Sequence, residues 1–333
     1  MSNIKLSICI PTYNFGLFIG ETLDSIIDEM SDQIEVVIGD GASTDNTEEV
    51  VKTYTALHSN IRYFKFEKKG GIDLDIAKTI DLAKGEHCWL LSSDDAIVPG
   101  AIQRVLKEIN NKHAIYLCNR ISCDLNLKPR ASEAWLSSNI ADSVFNFSHD
   151  NDLLAYLECS QSLGALFSFM SSIIVNRACW YSEGDRSEFM GSNYAHVCRL
   201  LAIAKKGGTL QYIKKPLISA RFENDSFLNN GIAKRYLIDL VGFKLIAEEF
   251  FTQKDNLFAF KAVMRREHKW YFLPSLSSKV KSTSDWEDLV KYFKYYGYSP
   301  LFLSISRLLG NLILPIICVR KVRDLILESK NKF

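Results

Sequence analysis

The chain lacks the markers of the commonest nucleotide and metal families. No G-x-G-x-x-G follows the first apolar run, so a dinucleotide fingerprint is excluded, and no G-x-x-x-x-G-K-[ST] appears, so this is not a P-loop. Eight cysteines are scattered over 333 residues with no C-x-x-C pair, which argues against a zinc site. Several lie in apolar, strand-like runs, where cysteine behaves as a small hydrophobe. The net charge is only +1, so nothing electrostatic calls for nucleic acid. No internal repeat or low-complexity tract stands out. No apolar signal region precedes the first strand-like run, and a reducing cytoplasm is the expected setting. What is present is a hydrophobic fraction of 47%, which marks a globular chain long enough for one large core or two smaller ones.

The first third alternates strands with helical segments. Leu6–Ile10 is an apolar run stopped by Pro11-Thr12-Tyr13-Asn14. Ile34–Ile38 is a second run, ended by Asp40-Gly41. Ser43–Thr47 then caps a helix running towards Leu57. Ile61–Phe66 is a third strand, and Leu74, Ala77, Ile80 and Leu82-Ala83 keep helical spacing up to Gly85. Cys88-Trp89-Leu90-Leu91-Ser92-Ser93-Asp94-Asp95 is a buried strand that ends abruptly in two carboxylates. Such alternation predicts right-handed βαβ units: an α/β, Rossmann-like, mostly parallel sheet flanked by helices. Thr12, Asn14, Asp40, Asp73, Asp94 and Asp95 then fall at the carboxyl edge of that sheet, where open α/β sheets bind ligands.

Adjacent carboxylates repel unless something positive lies between them, and a divalent metal on a diphosphate suits them. The plainer reading is a surface turn with a capping Asp. Asp40 could accept from a base N–H or a ribose hydroxyl. Together these features describe a nucleotide-sugar site. A nucleotidyltransferase shares the sheet and the acidic site, but it needs a Gly- and Lys-rich loop where Pro11–Asn14 stands. A non-catalytic carbohydrate-binding protein leaves Asp94 and Asp95 without a purpose.

Ile8–Asn14, Asp40–Thr47 and Leu91–Asp95 resemble, in order and spacing, the three N-terminal signatures of glycosyltransferase family 2. The match covers roughly the first hundred residues. The resemblance implies a GT-A fold and a transferase needing Mn²⁺ or Mg²⁺. It implies that Pro11, Tyr13 and Asp40 line the nucleoside pocket, with Thr12 and Asn14 also at the nucleotide-sugar site, that Asp94 faces the ribose, and that Asp95 binds the metal. Family members often carry a further acid where this chain has Ser92 or Ser93. Asp73 and Lys78 match a segment that approaches the donor phosphates or sugar, although a solvated helix face is the plainer reading of Lys78. In its whole length the chain resembles O-antigen deoxyhexosyltransferases, above all the bacterial abequosyltransferases of lipopolysaccharide synthesis. That implies CDP-abequose as donor and, as acceptor, the mannose of an oligosaccharide on undecaprenyl diphosphate. UDP-, GDP- or dTDP-linked sugars are the alternative donors.

Residues 101–230 are expected to form the acceptor half. Ala114–Cys118 continues the sheet, Ile121–Leu127 enters a hairpin, residues 128–150 are irregular, and Ser168–Val175 reads as another strand. Inverting relatives place a Glu-Asp pair where this chain has Asn193, Tyr194 and His196, with Asp185 and Glu188 upstream. His196 has the pKa of a general base and equally the character of a packed helical histidine. Residues 231–333 read as a helical C-terminal region. There Leu301–Val319 and the basic Arg320-Lys321-Val322-Arg323 suggest peripheral contact with the inner face of the bacterial inner membrane, against the alternative of a buried helical pair.

Overall fold

The computed structural model describes residues 4–184, 187–268 and 271–311. The elements follow in the order β1 (Leu6–Thr12), α1 (Ile19–Ile27), β2 (Ile34–Asp40), α2 (Thr47–Leu57), β3 (Ile61–Lys65), α3 (Ile72–Asp81), β4 (His87–Leu90), β5 (Ala96–Ile97), α4 (Ala101–Glu108), β6 (Ile115–Cys123), β7 (Pro129–Glu133) and β8 (Ser143–Phe145). Then come α5 (Asp150–Cys159), β9 (Ile173–Asn176), α6 (Arg177–Ser182), α7 (Ala195–Lys205) and β10 (Leu210–Arg221). The helical remainder is α8 (Ile232–Phe250), α9 (Lys254–Glu267), α10 (Phe272–Lys279), α11 (Thr283–Tyr295) and α12 (Pro300–Asn311).

The strands form one sheet in the order β3-β2-β1-β4-β9-β6-β10-β5, with β7 on β6 and β8 on β10. β3, β2, β1 and β4 run parallel, as the βαβ reading requires. β9 is antiparallel to both β4 and β6, so β6 regains the direction of β4, and β10 runs parallel to β6. The carboxyl ends of β1, β2, β4, β6 and β10 therefore share one edge.

Every residue of β1 and β2 is buried, because helices cover both faces. Alternation divides them. Ile8, Ile10, Val36 and Ile38 join Ile19, Leu23 and Ile26 of α1 and Ile102 and Val105 of α4 in one core. α3 packs on β1 and β2 as well.

The expected boundary at residue 230 differs from the observed division. One compact unit comprises residues up to 225 together with 245–263; the other comprises 226–244 with the described residues from 264 onward. In the second unit, Tyr296 Oη donates to the Leu240 carbonyl, and Arg265 Nη1 donates to the Tyr296 carbonyl at 2.7 Å. Arg307 Nη1 donates to the carbonyls of Ser277 (3.1 Å) and Val280 (2.8 Å), so this cation holds the end of α10. Among the described residues no helix is long and apolar enough to cross a membrane. Arg320, Lys321 and Arg323 lie outside the described residues.

Candidate active site

The turn after β1 and the turn after β2 are tied together. Thr12 and Asp40 are register partners at the two strand ends. The Asn14 N–H donates to Ser43 Oγ at 2.8 Å, and Asn14 Oδ1 accepts from the Thr44 N–H at 2.8 Å. Asp45 accepts from the backbone N–H groups of Gly16 and Thr47, each at 3.0 Å. A Cβ on Gly16 would lie 2.1 Å from Asn46 Oδ1, so only glycine permits this approach. Asn14 therefore ties the turn after β1 to the turn after β2.

Asp40 is fully buried. Its Oδ1 accepts from the Ser43 N–H at 2.8 Å, and its Oδ2 accepts from the Tyr63 hydroxyl. Burial, and then Asp40 itself, push the Tyr63 phenol well up, so it stays a donor. Pro11 is buried in β1, and Tyr13 is half-buried with the Lys69 ammonium 3.8 Å from its ring centre. Thr12 Oγ1 is buried without a hydrogen-bond partner. Lys78 is half-buried on α3, its Nζ 5.0 Å from the centre of the Phe66 ring.

The paired carboxylates after β4 differ sharply. Asp95 is 2% exposed. Its Oδ1 accepts from the Arg221 N–H at 2.9 Å and its Oδ2 from Ser171 Oγ at 2.6 Å. Burial, reinforced by Asp94, pushes its pKa up to about 8. Asp94 is half-buried, with Ser92 Oγ on one oxygen and Asn224 Nδ2 on the other. Its backbone carbonyl accepts from Arg221 Nε at 2.8 Å. Asp95, the expected metal ligand, is thus the deeper of the two acids. Each acid already has a donor on each oxygen, and what separates them is depth: Asp95 is buried, whereas Asp94 is half-buried and the more accessible of the two.

Among the described residues no group of three or more His, Cys, Asp or Glu could hold a metal ion. A small divalent cation fits here only in the way Mg²⁺ usually does, on one or two carboxylates with substrate phosphates supplying further oxygens. Asp94 is placed to be such a carboxylate.

Asp73 does not face this edge freely. Its Oδ2 accepts from the N–H groups of Gly191 and Asn193, both at 2.9 Å, and its Oδ1 from Ala195 N–H at 3.0 Å. It thereby anchors the entry to α7. His196, 7% exposed, follows directly, with Nε2 3.2 Å from the Phe167 carbonyl. That contact assigns the proton to Nε2 and leaves Nδ1, buried and unpartnered, as a bare acceptor. Burial lowers the His196 pKa, and the Asp73 charge opposes this in part. Phe167 is itself unusual: a buried aromatic residue at φ 64°. Residues 163–172 thus touch His196 through Phe167 and Asp95 through Ser171.

Sequence reasoning missed Ser171, Arg221 and Asn224. All three lie far along the chain from Asp94 and Asp95, and no local pattern marks them.

Known proteins place this geometry in a family. The sequence pattern of glycosyl transferase family 2 matches residues 7–177. Abequosyltransferase RfbV of Salmonella typhimurium is 31% identical over 299 residues, spanning 88% of this chain and 89% of that protein. The chain belongs to glycosyltransferase family 2. Among solved structures, residues 1–349 of S. aureus TarS in complex with UDP align with a TM-score of 0.62 at 16% identity, covering 91% of this chain and 89% of that one. The mannosyltransferase PcManGT from Pyrobaculum calidifontis, in complex with GDP-Man and Mn²⁺, aligns with a TM-score of 0.53 at 16% identity, covering 92% and 86%. The glycosyltransferase accordingly has the GT-A fold, with its helical region beyond.

Proposed function

We propose that this glycosyltransferase moves abequose from CDP-abequose onto the mannose of an undecaprenyl-diphosphate-linked oligosaccharide in O-antigen synthesis. The observation that carries the reading is the likeness to an abequosyltransferase across 88% of the chain, through acceptor half and helical region alike. Asp40 holds the nucleoside, and Tyr13 offers a ring face to the base. Asp94 meets the diphosphate and its divalent ion, Mn²⁺ or Mg²⁺. When bound, that ion stabilises the departing diphosphate as a Lewis acid. Asp95 fixes the position of Asp94 by holding the Arg221 backbone. His196 Nδ1 is the group available to take a proton from the acceptor hydroxyl. NMR of the anomeric proton in the first-formed product tells inversion, which needs such a base, from retention.

The helical region supports a peripheral place on the inner membrane. Leu301, Ile305, Leu308 and Leu309 are all exposed, and their spacing forms one apolar stripe along α12. With the basic Arg320, Lys321 and Arg323 following in the sequence, such a stripe suits the surface of an anionic bilayer.

The deciding experiment incubates purified enzyme with CDP-abequose and a mannosyl-rhamnosyl-galactosyl diphosphate lipid, with Mn²⁺ or with EDTA. Metal-dependent trisaccharide extension is expected. Transfer from a UDP-, GDP- or dTDP-sugar instead of CDP-abequose overturns the donor assignment.

A further inference from the structure

A second carboxyl lies in the nucleoside half of the site, and neither the fold nor the metal accounts for it. Asp75, in the first turn of α3, is 5% exposed, and its Oδ1 is buried with no hydrogen-bond partner. It sits against the turn after β2: a Cβ on Gly41 would lie 2.7 Å from Asp75 Oδ2 and 3.5 Å from the Thr12 carbonyl. A Cβ on Gly70 would lie 2.7 Å from Asp75 Oδ1. Thr12 Oγ1, at the end of β1, is a further buried and unpartnered polar atom. Burial raises the Asp75 pKa, and the Gly70 N–H and the charges of Lys78 and Lys69 offset part of this.

Native interiors pair their buried polar atoms, so two orphans together at a ligand edge call for a partner from outside. Asp40 has one protein donor on each oxygen and keeps a second lone pair on each, whereas Asp75 Oδ1 has no donor at all. The missing partner must therefore bring a hydrogen-bond donor to Asp75. Nucleobases differ in this respect. Cytosine carries an amino donor at C4, where uracil and thymine carry an acceptor oxygen. A carboxyl opposite O4 is left unpaired or repelled, and specificity arises from that penalty as much as from the correct pair.

We propose that Asp75, with Thr12 beside it, reads the exocyclic amine of the donor's cytosine and so selects CDP-sugars against UDP- and dTDP-sugars. The proposal rests on the nucleotide-sugar reading of the site and adds to it the residue that sets the base. Lys69 covers the Tyr13 ring in the structure. A cation on an exposed ring is worth about 0.5–1 kcal/mol, so an entering base can displace it.

The test is calorimetric titration of the full chain, in Mn²⁺, with CDP, UDP, GDP and the diphosphate of 2-pyrimidinone riboside, which is cytidine without its amine. Wild type should bind CDP about tenfold more tightly than UDP or the amine-less analogue, the worth of one hydrogen bond. Asp75→Asn should bring these ratios to within about threefold, because its amide can donate to O4. An unchanged CDP-to-UDP ratio in Asp75→Asn, with wild-type selectivity intact, overturns the role of Asp75 and leaves the transferase reading standing. If that variant fails to fold, the wild-type analogue decides: equal affinity for CDP and the amine-less compound overturns the proposal. Preference for UDP or GDP overturns it too. No affinity for any nucleoside diphosphate overturns the nucleotide-sugar reading itself, and the proposal with it.

Discussion

Asp73→Asn separates two roles for one carboxylate. The family resemblance puts Asp73 near the donor, while the structure has it accept three backbone N–H groups at the entry to α7. An asparagine retains one acceptor oxygen. Turned towards Gly191 and Asn193, it preserves two of the three bonds and sets its own NH₂ against the Ala195 N–H. The lost bond is charge-assisted and its donor is buried, so the local cost is about 1.5–3 kcal/mol. Asp73→Ala removes all three bonds and costs about 3–5 kcal/mol, since the exposed Gly191 and half-buried Asn193 regain some water. Native-state hydrogen exchange reads this directly: the Ala195 amide should exchange about 10–150-fold faster in Asp73→Asn. Local exchange is the right observable, because a chain of two compact units has no single unfolding free energy. Turnover should fall as the His196 loop loosens, while CDP affinity holds within about threefold. Protection of Ala195 that matches wild type, together with a raised donor KM, would refute the anchoring argument and return Asp73 to the donor.

Four further outcomes follow from the same geometry. Asp40→Ala should weaken CDP binding by about 1.5–3 kcal/mol in calorimetry, the value of a hydrogen bond to a charged group; unchanged affinity removes Asp40 from the nucleoside pocket. Asp94→Asn should abolish the Mn²⁺ enhancement of CDP binding while Asp95→Asn keeps it, and the reverse pattern restores Asp95 as the metal ligand. Burial holds His196 below its ordinary pKa of 6.5, so the stability it contributes is complete above that pH and is lost as pH falls through the lowered value. The Tm difference between wild type and His196→Gln, scanned from pH 7.5 to 5, should shrink on acidification, and a flat difference defeats this account. Replacing Arg320, Lys321 and Arg323 with Gln should release the enzyme from anionic vesicles, at about 1 kcal/mol per charge, without slowing transfer to a soluble acceptor; equal vesicle binding by this variant removes the cluster from the membrane contact.

The nucleotide half was legible because each apolar run there gives way to polar or turn-forming residues at Pro11–Asn14, Asp40-Gly41 and Ser92–Asp95, although β1 and β2 continue to Thr12 and Asp40. Helices between strands then leave one topology and one ligand edge. The acceptor half was less so. Ser168–Val175 read as a strand, but only Ile173–Asn176 form one, and it runs antiparallel to both its neighbours. β10 escaped notice because Lys214-Lys215-Pro216 interrupts it. Proline cannot donate to a ladder, and the register with β6 shifts on both sides of Pro216.

That missed strand explains why the two acids could not be told apart from sequence. Asp94 and Asp95 stand in the turn between β4 and β5, where no strand alternation fixes which way each carboxylate faces. One faces out and the other must find a partner inside, but which does so is decided by what packs beneath. Here the deciding groups are the Arg221 N–H and the Ser171 hydroxyl, both of which go to Asp95. β5, directly after the pair, also hydrogen-bonds to β10. The buried acid therefore pins the end of β4 to the end of β10, and this brings Asn224 onto Asp94. A carboxyl held at such depth is a costly way to join two strands, and its removal would move Asp94 as well. Loss of activity in Asp95→Asn is consequently no proof of metal ligation, and only the metal dependence of each variant assigns the ligand.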